Sequence, residues 1–178
     1  MNKCRGAWGD FVVTARVSAG GRAATYDDLA AMPYLAQVIK EVLRLYPAIP
    51  VFPREAQHSD VLASGHTVDA GDVVFMSSYA LGRSPALWDA PLEFDPERFS
   101  EANAPRIHRF QWMPFGGGPR MCLGAGFAQM TVSLMVVSLM QRLRFRCPEG
   151  APQLIPVGYD ITMNFGPTDG LHMHAEAL

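Results

Sequence analysis

Apolar residues at 35, 38, 39, 42 and 43 in 33-PYLAQVIKEVLRLY-46 fall at i, i+3, i+4, i+7 and i+8, which draws one stripe down a helix. Pro33 suits its first turn, where the backbone N–H has no helical partner, and Pro47 and Pro50 end it. Upstream, Thr25-Tyr-Asp-Asp28 has the spacing of a helix start, with a hydroxyl free to bond backbone amides. Between Pro50 and Tyr79 the pattern shifts to short extended pieces. Ala70-Gly-Asp72 reads as a turn ahead of the β-rich run Val73-Val-Phe-Met76, so a hairpin is expected there. Residues 80–113 are dense in turn formers and predict ordered loop with short helices. From Leu123 to Leu143 nearly every residue is apolar or small on all sides of the wheel, and such a helix is expected to be buried. A membrane span fits less well, because Gln129, Thr131, Ser133 and Ser138 interrupt the run. The tail segments 159-YDITMNF-165 and 171-LHMHAEA-177 alternate as strands do. Residues 1–20 show no period and stay unassigned, which leaves 21–178 as one domain.

Composition narrows the class without naming a function. The chain has 178 residues, 49% hydrophobic and 18% charged, with net charge −2, which argues against disorder and against bulk nucleic-acid affinity. Three cysteines, Cys4, Cys122 and Cys147, make an odd and scattered set, so no disulfide framework is implied and a reducing, cytoplasmic location is expected. The first twenty residues hold only a three-residue apolar run, Phe11 to Val13, too short for a signal peptide or anchor. Charge is uneven. From Ala104 to Cys147 there is no Asp, Glu or Lys but six arginines, at 106, 109, 120, 142, 144 and 146, so one basic face for an acidic partner competes with scattered solvated arginines.

The chemistry concentrates in 114-PFGGGPRMCLGAG-126. Glycines and a proline on both sides of Cys122 mark a tight loop that needs positive φ or close backbone approach. Free backbone N–H groups and the positive end of the helix dipole stabilise an anionic sulfur at such a helix start. Glycines 116–118 and 124 remove side chains where something flat and bulky could approach, and Arg120 adds positive charge nearby. Taken alone, a free cysteine in a glycine turn is the simpler reading. Elsewhere, Glu41 and Arg44 lie off the apolar stripe, so periodicity makes them an exposed i,i+3 ion pair worth a few tenths of a kcal/mol. His172-x-His174 could turn two imidazoles to one side, but a pair without further ligands is more often incidental. His108 lies just before the glycine loop, and Met130, Met135 and Met140 read as core filling.

The full pattern Phe115-x-x-Gly118-x-Arg120-x-Cys122-x-Gly124 resembles the haem-binding loop of the cytochrome P450 family, whose cysteine is the axial iron ligand. Glu41-Val-Leu-Arg44, about eighty residues earlier, resembles the family's Glu-x-x-Arg pair. Asp95-Pro-Glu-Arg98-Phe99 is similar to its second arginine motif, and 48-AIPVFPREA-56 to the segment that runs along the haem. The resemblance covers the chain from about Thr25 onward. It implies the C-terminal portion of the cytochrome P450 fold, mainly α with small β-sheets (α+β within this chain), and haem b as cofactor. It further implies Cys122 as iron ligand, Arg54 and Arg120 on the propionates, and Phe115, Gly118 and Gly124 shaping the loop. His108, too, could reach a propionate. Glu41, Arg44 and Arg98 would form a buried structural triad, and Ile49, Val51, Phe52 and Phe165 would face substrate.

The implied activity is oxidation of a small hydrophobic substrate by dioxygen, with electrons from a ferredoxin or flavin reductase docked on the basic face. One departure stands out. The family's acid–threonine pair lies on a long helix upstream of Glu-x-x-Arg, whereas only forty residues precede Glu41, and Ala19-Gly-Gly-Arg-Ala-Ala-Thr25 has no acid. A truncated member is therefore expected, with apolar area exposed beyond the few hundred Å² usual for a soluble surface, hence poor solubility, self-association or a completing partner. A haem-binding or haem-sensing module without turnover and an inactive remnant are the competing readings.

Overall fold

Asp28 gathers the first element. Its carboxylate accepts from the Thr25 backbone N–H at 2.7 Å and from the Thr25 hydroxyl at 2.9 Å, and it takes both Arg22 Nη atoms at 2.7 Å. The expected helix start is present as a capping box between Thr25 and Asp28, with the Thr25 hydroxyl also donating to Asp28, and the element is a 3₁₀ turn, Tyr26–Ala31. In this computed structural model the described residues are 21–146, 157–159, 165–167 and 172–178. Cys4, Cys147 and Asn164 lie outside them.

Helix α1, Pro33–Leu45, follows with proline at its start as expected. Strand β1, Val51–Glu55, pairs antiparallel with β4, Val73–Ser77, in register Val51–Ser77 to Glu55–Val73. Between them β2, Asp60–Val61, and β3, Thr67–Val68, form the inner hairpin. The Ala70–Asp72 turn is present too, with Gly71 at φ 90°, a region other L-residues rarely enter. A short helix α2, Ser78–Arg83, comes next, capped by Ser77 Oγ accepting from Ala80 N. Residues 84–124 run as ordered loop with three 3₁₀ turns, at Pro96–Phe99, Ala104–Arg106 and Gly118–Arg120.

Helix α3 covers Ala125–Met140, three residues shorter at its C-terminal end than the apolar run, because Leu143 begins strand β5, Leu143–Arg146. β5 pairs with β8, His174–Ala177, and β6, Val157–Tyr159, pairs with β7, Phe165–Pro167. The architecture is therefore mixed helix with small two-stranded antiparallel sheets.

The core forms where α1 meets the C-terminal half of α3: Met32, Leu35 and Ile39 against Val137 and Met140, with Leu29, Leu43 and Phe145 around them. At the chain's other end of this contact, the Gln141 amide takes the Ala24 N–H and donates to the Arg22 carbonyl, which ties the first segment to α3. The rest of α3 departs from expectation. Phe127 is 70% exposed and Met135 59%, with Val132 and Leu139 also exposed, so a helix apolar on every side is covered on one side only. Only Met140 of its three methionines is core filling in the strict sense; Met135 stands at the surface. Among the described residues no helix is long and apolar enough to cross a membrane.

The Arg22 guanidinium, then the Thr25 donors, hold the Asp28 carboxyl well below its usual range. Stability from such a group is present above the unfolded value of ~3.9 and is lost as pH falls toward the lower folded value. The destabilisation caused by Asp28→Asn is therefore expected to be constant above about pH 5 and to shrink below about pH 4, read from urea midpoints across that range.

Candidate functional site

The apolar stripe of α1 faces the core through Leu35, Ile39 and Leu43, but burial does not stop at the stripe. Val42 is 40% exposed, whereas Glu41 and Arg44, off the stripe, are fully buried. The exposed ion pair expected from periodicity is corrected here. Loop 84–99 covers that face of α1 and supplies acceptors that no helical wheel contains.

Arg44 uses all five of its N–H donors. Nε and Nη2 fork onto the Glu41 carboxylate at 2.6 and 2.7 Å, Nη2 also reaches the Glu93 carbonyl at 3.0 Å, and Nη1 reaches the carbonyls of Pro91, at 2.7 Å, and Gly82. Glu41 Oε1 takes in addition the Asp95 backbone N–H at 2.8 Å and faces Arg98 Nε at 3.4 Å. Arg98 in turn donates to the carbonyl of Ala90, a residue in the left-handed region at φ 42°. The structure thus gathers Glu41, Arg44 and Arg98 into one buried cluster, stitched to the loop by backbone groups. Gly82 belongs to it: a Cβ there would collide with the Arg44 backbone carbonyl. No sequence signal pointed to Gly82, because the collision depends on how α2 crosses α1.

The cysteine loop is built next to this cluster. Gly116 and Gly118 sit at φ 75° and 70°, which only glycine adopts without strain, and they let the chain turn back so that Cys122 N–H donates to the Phe115 carbonyl at 2.9 Å. Gly117 is packed instead by contact, since a Cβ there would press on Met113 Sδ at 3.3 Å. Gly124 is the N-cap of α3, and a Cβ on it would lie 4.0 Å from Cys122 Sγ. Cys122 itself is a free, exposed thiol. Its neighbours Met121 and Leu123 are exposed as well, Leu123 completely. A concavity of about 390 Å³ lies beside the loop, lined by Phe110, Trp112, Met113, Phe115, Met121 and Gln129 among others. Cys122 does not line it.

Arg54 approaches the loop from β1. Its Nη2 reaches toward the Arg120 carbonyl at 3.5 Å and would be 3.9 Å from a Cβ at Gly116. Alternation along β1 puts Phe52 on the same face, and its ring lies 5.3 Å from the Arg54 guanidinium carbon. Val51 falls on the opposite face and Ile49 is 52% exposed ahead of the strand, so Val51 and Phe52, both expected to face substrate, do not share one surface. Phe165 pairs in register with Tyr159 in the β6–β7 ribbon. The six arginines also divide. Arg106, Arg109 and Arg120 precede α3, and Arg142, Arg144 and Arg146 follow it, about 24 Å away along a 16-residue helix, with Arg146 paired to Glu176 at 3.3 Å. His108 bonds locally, its ring nitrogen taking the Phe110 N–H at 3.3 Å, and His172 and His174 are exposed.

Comparison with known proteins identifies the family. The family model for cytochrome P450 matches residues 14–168, and the chain belongs to that family. It is similar to cytochrome P450 3A6 of Oryctolagus cuniculus, 46% identical over 127 residues that make up 71% of this chain and 25% of that protein. It is 39% identical to 7-ethoxycoumarin O-deethylase of Helianthus tuberosus over 127 residues, 71% of this chain and 26% of the relative. With cytochrome P450 4B1 of Homo sapiens the identity is 35% over 158 residues, 86% of this chain and 29% of the relative. The chain thus spans about a quarter of the length of the curated relatives it matches.

Haem b is the family's cofactor. The residues present fit it: a free thiol stands at the surface between two exposed apolar side chains, and the space directly over Gly118 is open, with nothing within 4 Å of a Cβ built there.

Two substitutions probe the cluster. Glu41→Ala leaves two guanidiniums without their carboxylate and is expected to cost about 3–5 kcal/mol in urea unfolding. Gly82→Ala forces α2 off α1 and is expected to cost about 1–3 kcal/mol by the same measurement, with Arg44 losing one carbonyl.

Proposed function

We propose that this chain forms the thiolate side of the haem site of a cytochrome P450 monooxygenase, as the C-terminal part of that fold, with Cys122 as the residue that would ligate the iron. The observation that carries the reading is a free, exposed cysteine held by a positive-φ glycine loop at the foot of an apolar helix, inside the segment the family model matches. Bound haem b supplies a redox-active iron on which a thiolate ligand favours O–O cleavage.

The chain's own residues present and tune the sulfur. The Cys122 N–H bond to Phe115 O ties the cysteine's backbone to the start of the loop. Gly118 and Gly124 keep the surface bare. Arg54 and Arg120 hold the propionates by charge-assisted hydrogen bonds. Arg54 is the better placed of the two, already turned toward the loop from β1.

Oxidation of substrate belongs to the whole protein, and the substrate is a small hydrophobic molecule. Phe52, on the Arg54 face of β1, is its first candidate contact here, and Ile49, Val51 and Phe165 are the others. The electron donor is an acidic ferredoxin or flavin reductase docked on the arginines that precede α3, because these share the chain segment of the cysteine loop.

The test is to reconstitute the chain with haemin, reduce it, add carbon monoxide and record the Soret band. A strongly red-shifted band is expected, lost in Cys122→Ala and reached only at higher haemin concentration in Arg54→Ala. A wild-type chain showing no cysteine-dependent band sinks the assignment. Turnover with peroxide or a redox partner then separates an oxidising enzyme from a haem module that only binds.

A further inference from the structure

The hydrogen bonds within the cysteine loop fix its shape without fixing its place. Gly116 N–H donates to Met113 O, Met121 N–H to Gly118 O, and Cys122 N–H to Phe115 O, all inside 113–122. Placement needs contacts to other elements. Downstream the loop runs into α3. From β1 the Arg54 contact to Arg120 O, at 3.5 Å, is at the outer limit of a hydrogen bond. Upstream, Gln111 Nε2 donates to the Leu87 carbonyl, which is itself in a loop.

Trp112 makes a further attachment, and it goes to a helix. Its indole Nε1–H donates to the Lys40 carbonyl of α1 at 3.1 Å, across 72 residues of sequence. A carbonyl has a second lone pair, so this bond is compatible with the helical one. The Trp112 ring meets Phe99 edge-on with centroids 5.6 Å apart, Phe99 meets Trp88 at 6.0 Å, and the Arg44 guanidinium lies 5.2 Å from the centre of Trp88. A row of three aromatic rings therefore leads from the buried Glu41–Arg44 pair to the residue just before the loop.

We propose that Trp112 is a positioning residue that sets where the Cys122 loop sits relative to α1. The aromatic row gives its ring a fixed wall, and the single N–H bond to Lys40 sets its register along the helix. The inference rests on the haem reading for what the loop holds, while the placement itself is readable without haem.

The test is amide hydrogen exchange on the full chain, comparing wild type with Trp112→Phe, which keeps an aromatic ring and loses the N–H, and with Trp112→Ala, which loses both. One net hydrogen bond of ~1 kcal/mol corresponds to about fivefold. Exchange over 113–122 is expected to rise about fivefold in Trp112→Phe and further in Trp112→Ala, with α1 and the β1–β4 pair unchanged in Trp112→Phe. If Trp112→Ala does not fold, Trp112→Phe decides. Unchanged loop exchange in Trp112→Phe, an increase spread over every element, or a wild-type loop already exchanging without protection would overturn the proposal. With haemin and carbon monoxide, Trp112→Phe is expected to lower the cysteine-dependent share of the Soret band. Loss of haem uptake by the wild type as well would count against the haem reading alone, since the exchange result stands apart from it.

Discussion

A carboxylate and a guanidinium taken wholly out of water cost several kcal/mol each unless mutual pairing and further hydrogen bonds replace the lost hydration. Glu41 and Arg44 meet that condition with groups from four places: the Glu41–Arg44 fork on α1, the Gly82 carbonyl on α2, the Pro91 and Glu93 carbonyls, and the Asp95 N–H. The network therefore does more than link two side chains. It holds a stretch of irregular backbone, which has few ladder bonds of its own, against a regular helix. Loop 84–99 has its place because Arg44 has five donors to satisfy, and α2 can come close enough to be one of the acceptors because position 82 is glycine.

What that loop carries matters for the cysteine. Trp88 and Phe99 sit on it, both buried, and Trp112 packs on Phe99 before the glycine turns begin. The order of construction runs from charge to aromatic rings to glycine backbone to sulfur. Each step transfers position from a rigid element to a less regular one, and the last element, with positive φ at Gly116 and Gly118, leaves the thiol facing outward. A surface thiol between apolar neighbours suits a large flat partner better than a core.

Helix α3 presents the complementary half of the picture. α1 covers one side of its C-terminal half, with Val137 wholly buried, while Phe127, Val132, Met135 and Leu139 stand open. In relatives about four times as long there is far more chain to lie against such a helix. Among the described residues that face of α3 is left open, which is why an apolar pattern on every side of the helix does not translate into burial on every side.

Local rules reach a definite part of this protein. The stripe and Pro33 place α1, Thr25 and Asp28 mark the first turn, Gly71 marks a turn, and the glycines around Cys122 announce a special loop, because each depends on residues within a few positions. The motif spacing through Phe115, Arg120 and Cys122 carried the family and its cofactor, since a metal-binding loop needs its residue types at fixed short intervals. Periodicity misplaced Glu41, Arg44 and Val42 and buried too much of α3, because burial depends on which distant segment arrives at each face. Gly82, the carbonyls of Pro91 and Glu93, and the Trp112 bond to Lys40 had no sequence signature at all. Backbone acceptors look alike in every residue, and only the tertiary fold decides which of them a buried guanidinium or indole will find.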